Sequence, residues 1–404
     1  MRVFIKPSGP ASQHARGAAL NLPAGKPEIL EAMDQARIPY GSGEYIIDPD
    51  RNCPDFINKL CGGGSNPSIA EMNHLAERMA QLSEDELHTL DVVMKIFPPS
   101  GGYGIVDAID ATHNLHRHDF HPVATNDYEL GTIVIDSCGD LFPPIAGLSD
   151  EILDCLDPAK IGKLTREQDG GVFTANGYLI PHGSMEEWTI VCDRSTKAER
   201  VVTLASNEPI ITLRVRPFED LGGHEFSLEL PASQQHIETV LRTHGVPDLS
   251  EYIISGASSV IPALDYAITE GEDIEKVNEL ACAIKALGGE QFAKYKAAYE
   301  LEIVTSIESA ITVAKRLDEY DFSQLPTTAE YGKAVMEQTG ADVKLLTEYG
   351  FDFGAYGWKV MDENKIGFVS YGFISHPRGQ ELTMEQAVES PEPESPTIEP
   401  TMTM

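Results

Sequence analysis

Apolar residues recur at helical spacing in two separate regions of the chain. Between residues 69 and 82 they fall three or four positions apart, which predicts an amphipathic helix. Ser83 and Glu86 have the spacing of a capping box, so we expect a second helix to begin there. In the region 274–317 the same spacing predicts further helices with the apolar sets Ile274, Val277, Leu280, Ala281 and Ile284; Phe292 and Tyr295; and Ile307, Ile311, Ala314 and Leu317.

Short strand-like runs flank these helices, and both kinds of element occur twice in the same order. The offset stays near roughly 200 residues, and seven ordered matches predict a duplicated module. The matching pairs are Val3-Phe4-Ile5 with Ile211-Thr212-Leu213, Leu22-Pro23-Ala24 with Leu230-Pro231-Ala232, Glu44-Tyr45-Ile46-Ile47 with Glu251-Tyr252-Ile253-Ile254, Asn73-His74-Leu75-Ala76 with Asn278-Glu279-Leu280-Ala281, Ala108-Ile109 with Ala310-Ile311, Glu129-Leu130-Gly131 with Glu330-Tyr331-Gly332, and Gly171-Val172-Phe173 with Gly367-Phe368-Val369.

The repeat divides the chain into four segments. The first module covers residues 1–182 and the second covers residues 209–375. Residues 183–208 are predicted to form a polar connector that contains a strand-like run at Trp188-Thr189-Ile190-Val191. Residues 376–404 are rich in Pro, Glu, Ser and Thr, and this composition predicts a disordered acidic tail. We therefore expect an α+β protein, arranged as a chain of small sub-domains in two diverged tandem copies.

Charge narrows the possible functions. The chain has 64 acidic and 30 basic residues and a formal net charge of −34. Direct binding of nucleic acid needs a basic surface, and an anionic membrane would repel this chain. A basic partner or a cation fits the charge, although solubility or salt adaptation alone is an alternative. The start of the sequence does not have the pattern of a signal peptide, and no run is long and apolar enough for a membrane span. Together with six scattered cysteines, these features predict a cytoplasmic protein.

A group of histidines is the pattern closest to a metal site. His113, His116, His118 and His121 have a spacing at which neutral imidazoles can bind zinc. The matching positions of the second copy, however, are Lys315, Asp318, Tyr320 and Ser323. A metal that held the module together would need ligands in both copies. We therefore predict solvated surface histidines, no metal and no cofactor, and a zinc-dependent enzyme stays an alternative.

The sequence contains no recognisable catalytic motif. GxSxG, HExxH and dinucleotide-binding patterns are absent, so nothing favours an enzyme.

The carboxylates form the second candidate site. A net charge of −34 equals the phosphate charge of roughly 60 Å of duplex DNA. Neighbouring acids on a helix face lie about 5–6 Å apart, which is close to phosphate spacing. Each cluster alone could equally be a solvated face or a favourable helix start. The candidate partner-binding residues are Asp48, Asp50, Glu84, Asp85, Glu86, Asp91, Asp107, Asp110, Asp127, Glu129, Glu270, Glu272, Asp273, Glu275, Glu279, Asp318, Glu319 and Asp321.

Several blocks of the sequence are distinctive, namely GAALNLPA and HEFSLELPA, EYIID and EYIIS, MNHLAERMAQLSEDEL, AIDATHNLHRHDFHPVATNDYELG with AITVAKRLDEYDFSQLPTTAEYG, and GGVFTANGYLI. Together they resemble the ArdA antirestriction family of mobile elements and phages. The resemblance implies an elongated, acidic DNA mimic that occupies the DNA-binding groove of a type I restriction-modification complex in the bacterial cytoplasm. It also implies that cleavage and often modification are blocked, and that the chain could form a homodimer.

Two features modify this expectation. The stretch around His116 and His118 is less acidic than the corresponding stretch in sequences of the family. Residues 1–150 sum to −11 (10 basic, 21 acidic), and residues 231–404 sum to −17 (12 basic, 29 acidic). We therefore expect the mimicking surface mainly on the second copy. The alternative function is an acidic interaction protein of a phage or mobile element that binds another basic DNA-binding or defence protein.

Overall fold

The computed structural model describes residues 1–9, 17–62, 66–96, 104–137, 142–183, 187–193, 199–218, 224–246 and 251–377. Its strands are β1 (Arg2–Pro7), β2 (Ala18–Asn21), β3 (Tyr45–Pro49), β4 (His118–His121), β5 (Val172–Thr174), β6 (Gly177–Pro181), β7 (Ile211–Pro217), β8 (Phe226–Leu230), β9 (Tyr252–Ser259), β10 (Phe322–Ser323), β11 (Ile366–Val369) and β12 (Gly372–Ser375).

The helices of the N-terminal half, residues 1–182, are α1 (Lys26–Gln35), α2 (Asp55–Gly62), α3 (Ile69–Met79), α4 (Glu84–Ile96), α5 (Ile105–Asn114), α6 (Asp127–Asp136), α7 (Asp150–Leu153) and α8 (Pro158–Asp169). Those of the C-terminal half, residues 209–375, are α9 (Gln234–Thr243), α10 (Ile274–Leu287), α11 (Phe292–Leu301), α12 (Ile307–Lys315), α13 (Thr328–Gln338), α14 (Val343–Glu348) and α15 (Phe353–Glu363). The helices predicted from apolar spacing are confirmed. The Ser83–Glu86 capping box is also confirmed, because each residue's backbone N–H donates to the other's side chain.

Within its described residues, each half contains two small antiparallel sheets, and together with the helices they confirm the α+β class. The strand orders are β2-β1-β3 and β4-β6-β5 in the N-terminal half, and β8-β7-β9 and β10-β12-β11 in the C-terminal half. The register differs from the sequence alignment at the first strand. Val3 pairs with Leu20 in the N-terminal half. In the C-terminal half, Leu228 takes the place of Leu20 and pairs with Leu213, so Val3 corresponds to Leu213 rather than to Ile211. The reason is that each strand is positioned by its partner strand, β2 or β8, which ends at Asn21 or Leu230, close to the repeated proline.

The same side chains join sheet and helix in both halves. The Asn73 amide bonds both backbone groups of Ala24, and the Asn278 amide bonds those of Ala232. The Tyr45 hydroxyl accepts the N–H of Ile69 at the start of α3, and the Tyr252 hydroxyl accepts that of Ile274 at the start of α10, each at 2.9 Å. These residues are among the repeated positions of the sequence. The duplication itself stays a prediction.

Two helix pairs cross with their backbones in contact. At the crossing of α6 and α8, a Cβ added to Gly131 would lie 1.7 Å from the Pro158 carbonyl oxygen, and one added to Gly162 would lie 1.8 Å from that of Asp127. The crossing of α13 and α15 has Gly332 and Gly357 in the same roles, with a nearest backbone oxygen 2.2 Å and 2.1 Å away. Only glycine permits so close an approach. The apolar periodicity of the sequence did not reveal this feature.

The buried apolar residues form separate cores. One cluster takes its buried members from residues 3–115 together with Leu179 and Trp188, and a second takes them from residues 124–180. The third takes them from residues 210–374. Among the described residues, each buried cluster therefore lies within one half and its adjoining connector, and none is shared between the halves.

The connector is packed rather than extended. Trp188 is only 7% exposed and belongs to the first core. The predicted strand at 188–191 is not formed, because this segment is bound by side chains of α5 instead of a strand partner. Asn114 exchanges two hydrogen bonds with the backbone of Thr189, and the Asp110 carboxylate accepts the N–H groups of Val191 and Cys192.

Further along the connector, the Arg200 guanidinium donates to four backbone carbonyl oxygens of the N-terminal half, from Gly43 to Pro67. The predicted disordered tail lies outside the described residues beyond position 377. Among the described helices, none combines the length and apolar character required to cross a membrane.

Candidate functional site

Most of the predicted carboxylates of the N-terminal half reach solvent. Asp48, Glu84, Asp85 and Glu86 are exposed. Partly exposed positions are Asp50, Asp91, Asp127 and Glu129. Glu84 and Asp85 form no ion pair within the part of the chain that the structure describes, so their charge is available to a partner.

Several of these acids form ion pairs with basic residues of the same half. Asp48 pairs with Lys6, Asp91 with Lys95, and Asp127 with Arg166 through two hydrogen bonds. Surface pairs of this kind are worth only about 0–1 kcal/mol, so a partner's arginine could replace the local cation.

Glu86 and Glu129 instead serve the helix starts. Glu86 accepts hydrogen bonds from Ser83, and Glu129 accepts them from Thr125. These bonds lower the pKa of both carboxyl groups, which therefore stay ionised.

Asp107 and Asp110 do not belong to the surface, which corrects the sequence prediction for these two residues. They are 9% and 0% exposed. Asp107 accepts the N–H of Gly104 at the start of α5. The Asp110 carboxylate accepts two backbone N–H groups of the connector. Their spacing on a helix resembles that of a solvated acidic face. Asp110 is buried because the connector covers this part of α5, and a local sequence pattern does not reveal such a contact.

The predicted carboxylates of the C-terminal half surround the starts of α10 and β10. The exposed ones are Glu270, Asp273, Glu275, Glu279, Asp318, Glu319 and Asp321, and Glu272 is half-buried. Asp273 caps α10 through the N–H of Glu275. Three acids lie near a cation, in the pairs Glu270–Arg216, Glu279–Lys315 and Glu319–Arg316. The site is thus an exposed surface of carboxylates, some of them held by local contacts.

The two halves carry almost equal charge when counted over their own boundaries. Residues 1–182 contain 13 basic and 26 acidic residues, a net −13, and residues 209–375 contain 13 basic and 27 acidic residues, a net −14. The larger excess expected for the second copy came from including residues 376–404, which sum to −5 (1 basic, 6 acidic). Charge therefore gives no reason to favour either half.

The sequence reasoning missed one acidic group. Asp150, Glu151, Asp154 and Asp157 lie in and around α7, and all four are exposed. Asp157 caps α8, and the other three form no ion pair among the residues that the structure describes. Four acids in eight residues without a basic residue was the available signal in the sequence.

The histidine group divides between surface and interior. His116 is exposed and His113 and His121 are half-buried, whereas His118 is only 7% exposed and lies against Trp188. Burial and the nearby positive groups lower the pKa of His118 to about 4. The prediction of solvated histidines is therefore wrong for His118. Within the described ranges, no group of three or more His, Cys, Asp or Glu residues is placed to hold a metal ion.

These features are those of an acidic α+β protein whose exposed charged groups are mainly carboxylates. The family model of the antirestriction protein ArdA matches residues 221–375, which is nearly all of the C-terminal half. This match supports an antirestriction function. A search of curated proteins found none that matches the chain.

Proposed function

We propose that the chain is a DNA-mimic antirestriction protein that binds the DNA-binding groove of type I restriction-modification enzymes. Its surface carboxylates would take the place of DNA phosphates and block cleavage and modification in a bacterial host cell. The observation that carries the proposal is the ArdA match over residues 221–375. The net charge of −34 and the exposed carboxylates of both halves support it.

The chemistry of such a groove explains why carboxylates suffice. DNA-binding grooves present Lys and Arg side chains, and a guanidinium binds a carboxylate in the same forked geometry as a phosphate. Charge complementarity of this kind accelerates association and fixes the orientation of a partner. The exposed acids without a local cation, such as Glu84, Asp85, Asp150, Glu151 and Asp154, are the groups best able to act in this way. The chain then acts by occupying a site and has no need of a cofactor.

The direct test measures cleavage and methylation by purified type I complexes with the full chain added. We expect both activities to fall at low salt, to recover as salt screens the charges, and to recover when more substrate DNA is added. Unchanged cleavage and methylation at low salt with the chain in excess would contradict the proposal. Capture from a host lysate of another basic DNA-binding or defence protein, without any restriction subunit, would favour the alternative partner.

A pair of variants with equal net charge sharpens this test. The first carries Asp150→Asn, Glu151→Gln and Asp154→Asn, three acids without an ion pair in the described structure. The second carries Glu167→Gln, Glu238→Gln and Glu363→Gln, acids that lie near a cation one helical turn away. Mimicry by the exposed acids predicts weaker inhibition for the first variant than for the second. Equal losses would mean that total charge matters rather than these positions.

A further inference from the structure

Helix α1 of the N-terminal half lies against the C-terminal half. Its residues Glu31 and Asp34 lie beside Lys296 of α11, and Arg37, two residues beyond the end of the helix, contacts the region of the C-terminal sheet. Tyr40 follows and packs edge-on against Phe292. One short segment of the first half therefore contacts both a helix and the terminal sheet of the second.

The centre of this contact is a buried charge cluster. The Lys296 side chain is 1% exposed, with Glu31 Oε2 at 2.6 Å and Asp34 Oδ2 at 2.8 Å from its Nζ. Tyr371 lies in the turn between β11 and β12, and its hydroxyl donates to Glu31. Burial raises the pKa of the Asp34 carboxyl, and the adjacent ammonium of Lys296 opposes that rise. A buried charge needs its partner nearby, so these residues favour one placement of α1 on α11.

Arg37 makes a second contact with the C-terminal half, although its backbone conformation is unfavourable for a residue with a side chain. Its φ is +61°, a left-handed conformation that is unfavourable for a residue with a Cβ by about 1–2 kcal/mol. The residue in the same place after α9 is Gly245, with φ +83°. Arg37 and Gly245 occupy equivalent positions, because the residue after each makes the same backbone hydrogen bond. The N–H of Ile38 donates to the Met33 carbonyl oxygen, and that of Val246 donates to the Leu241 carbonyl oxygen.

What distinguishes Arg37 from Gly245 is its contact with the other half. The guanidinium donates to the Leu325 carbonyl oxygen at 2.5 Å and lies 4.8 Å from the centroid of the Phe368 ring. A side chain that the local turn disfavours is thus present where it reaches the C-terminal half.

These contacts between the halves matter because the buried apolar cores of the halves are separate. In the part of the chain that the structure describes, each buried apolar cluster lies within one half, so no shared core seen there fixes the angle between the halves. The connector contributes one further ionic contact, in which Glu208 binds Lys26 of α1 and, through its carbonyl oxygen, Lys285 of α10. The polar contacts of α1 and Arg37, together with the packing of Tyr40 on Phe292, therefore set the orientation.

We propose that Glu31, Asp34 and Arg37 form an interdomain latch that fixes the orientation of the two halves through Lys296, Leu325 and Phe368. They are positioning residues. Resting on the proposed function, the latch would present the carboxylates of both halves to one restriction complex as a single rigid ligand. A flexible link between two binding surfaces lowers their effective concentration toward each other, whereas a fixed geometry that fits raises it.

The orientation can be measured directly by pulsed EPR, because each half has an exposed cysteine, Cys155 and Cys282. Cys61, Cys138 and Cys192 are replaced by serine and the two remaining exposed thiols are spin-labelled. We expect a narrow distance distribution with the latch intact. Arg37→Gly, which suits the local backbone, and the uncharged triple variant Glu31→Gln, Asp34→Asn, Lys296→Met should both broaden or shift it.

Matched controls separate the latch from general destabilisation. Arg242→Ala changes the α9 position equivalent to Asp34, where the side chain is exposed, and Ile303→Gly removes another left-handed residue, which is 69% exposed. Both should leave the distribution unchanged. If Arg37→Gly and the triple variant fold, as judged by circular dichroism, and keep the narrow distribution, the latch is overturned. If the triple variant fails to fold, Arg37→Gly decides alone.

Inhibition assays on the same variants separate the latch from the proposed function. With a broadened distribution, we expect half-inhibition of type I cleavage to need about tenfold more protein. A broadened distribution with unchanged inhibition would overturn the single-ligand part of the proposal. A narrow distribution in a chain that never inhibits would overturn the proposed function and leave the latch standing.

Discussion

The two halves have the same sheet topology but differ in which faces the rest of the chain covers. On α5, Asp110 and Asn114 lie beneath the connector. The corresponding residues are Thr312 of α12, which is exposed, and Arg316 just after it, which is half-buried. The outer face of α1 is likewise covered by the C-terminal half, while that of α9 faces solvent. An acid on a helix face therefore becomes structural or available to a partner according to what lies over it.

The largest effect should come from the glycine crossings, where the halves are alike. Gly162→Ala would drive a Cβ into a backbone oxygen of α6, a contact that no rotamer can relieve, and should destabilise the N-terminal half by about 3 kcal/mol or more. Gly357→Ala should destabilise the C-terminal half somewhat less, because its contact is longer. Urea denaturation followed by hydrogen exchange in each half measures both. Gly62→Ala, with open space around the added Cβ, is the control; a similarly small effect at Gly162 would contradict the close crossing.

The next largest effect should appear where the halves differ. Asp110→Ala removes the acceptor of two connector N–H groups and should lower the free energy of unfolding by about 2 kcal/mol. Thr312→Ala at the corresponding place of α12 should change it by no more than about 0.5 kcal/mol, since the residue is exposed. Chemical denaturation of both variants provides the comparison. Equal effects would mean that the connector does not depend on Asp110.

Equal effects are expected at the residues that join sheet and helix. Asn73→Ala and Asn278→Ala each leave two backbone groups of an alanine without their side-chain partner, so each should cost about 1.5 kcal/mol. The measurement is the thermal midpoint of each half, observed by hydrogen exchange. A large effect in one half alone would show that the repeated asparagines do not have the same role.

The nearly equal net charges of the halves lead to a prediction about inhibition, with a change in free energy close to that expected for the asparagine variants. One variant carries Glu84→Gln, Asp85→Asn and Glu151→Gln, and the other carries Glu270→Gln, Glu275→Gln and Asp318→Asn. Because the halves have net charges of −13 and −14, we expect both to inhibit a type I enzyme about tenfold less well, or about 1.4 kcal/mol. Titrations of cleavage activity measure this. Loss confined to one variant would restore the idea of a single mimicking half.

The effect that is smallest at neutral pH, and that grows as pH falls, is a pH dependence of the N-terminal half. The pKa of His118 is lowered to about 4 from an ordinary value near 6.5, so the unfolded chain takes up a proton as pH falls between these values while the folded chain does not. Stability from this group is present above pH 6.5 and is lost toward pH 4. The corresponding residue, Tyr320, does not titrate in this range because the ordinary pKa of a phenol is near 10, and burial and Glu302 raise it further. Thermal midpoints of the chain and of His118→Gln should converge toward pH 4; parallel curves would contradict this assignment.

Local patterns in the sequence were sufficient for much of the fold. The apolar spacing of α3, α10 and α12 and the Ser83–Glu86 capping box are properties of neighbouring residues, and they predicted the elements correctly. The α+β class followed from the mixture of helical and strand-like runs.

The features that could not be predicted depend on distant contacts. Gly131 and Gly162 meet only after α6 and α8 cross, and the run Trp188–Val191 resembles a strand until α5 binds its backbone. For the same reason the candidate site was only partly right. Charge pattern identified an acidic surface, but burial removes Asp107 and Asp110, and it places His118 inside.

The separate cores have a consequence for splitting the molecule. Because each buried apolar cluster lies within one half and its adjoining connector, cutting the chain between the halves would uncover mainly charged and aromatic groups around Lys296 and Arg37. We therefore expect two fragments that stay apart when dilute and recombine when mixed at high concentration. Such fragment complementation would turn the contact between the halves into a reversible, salt-sensitive association.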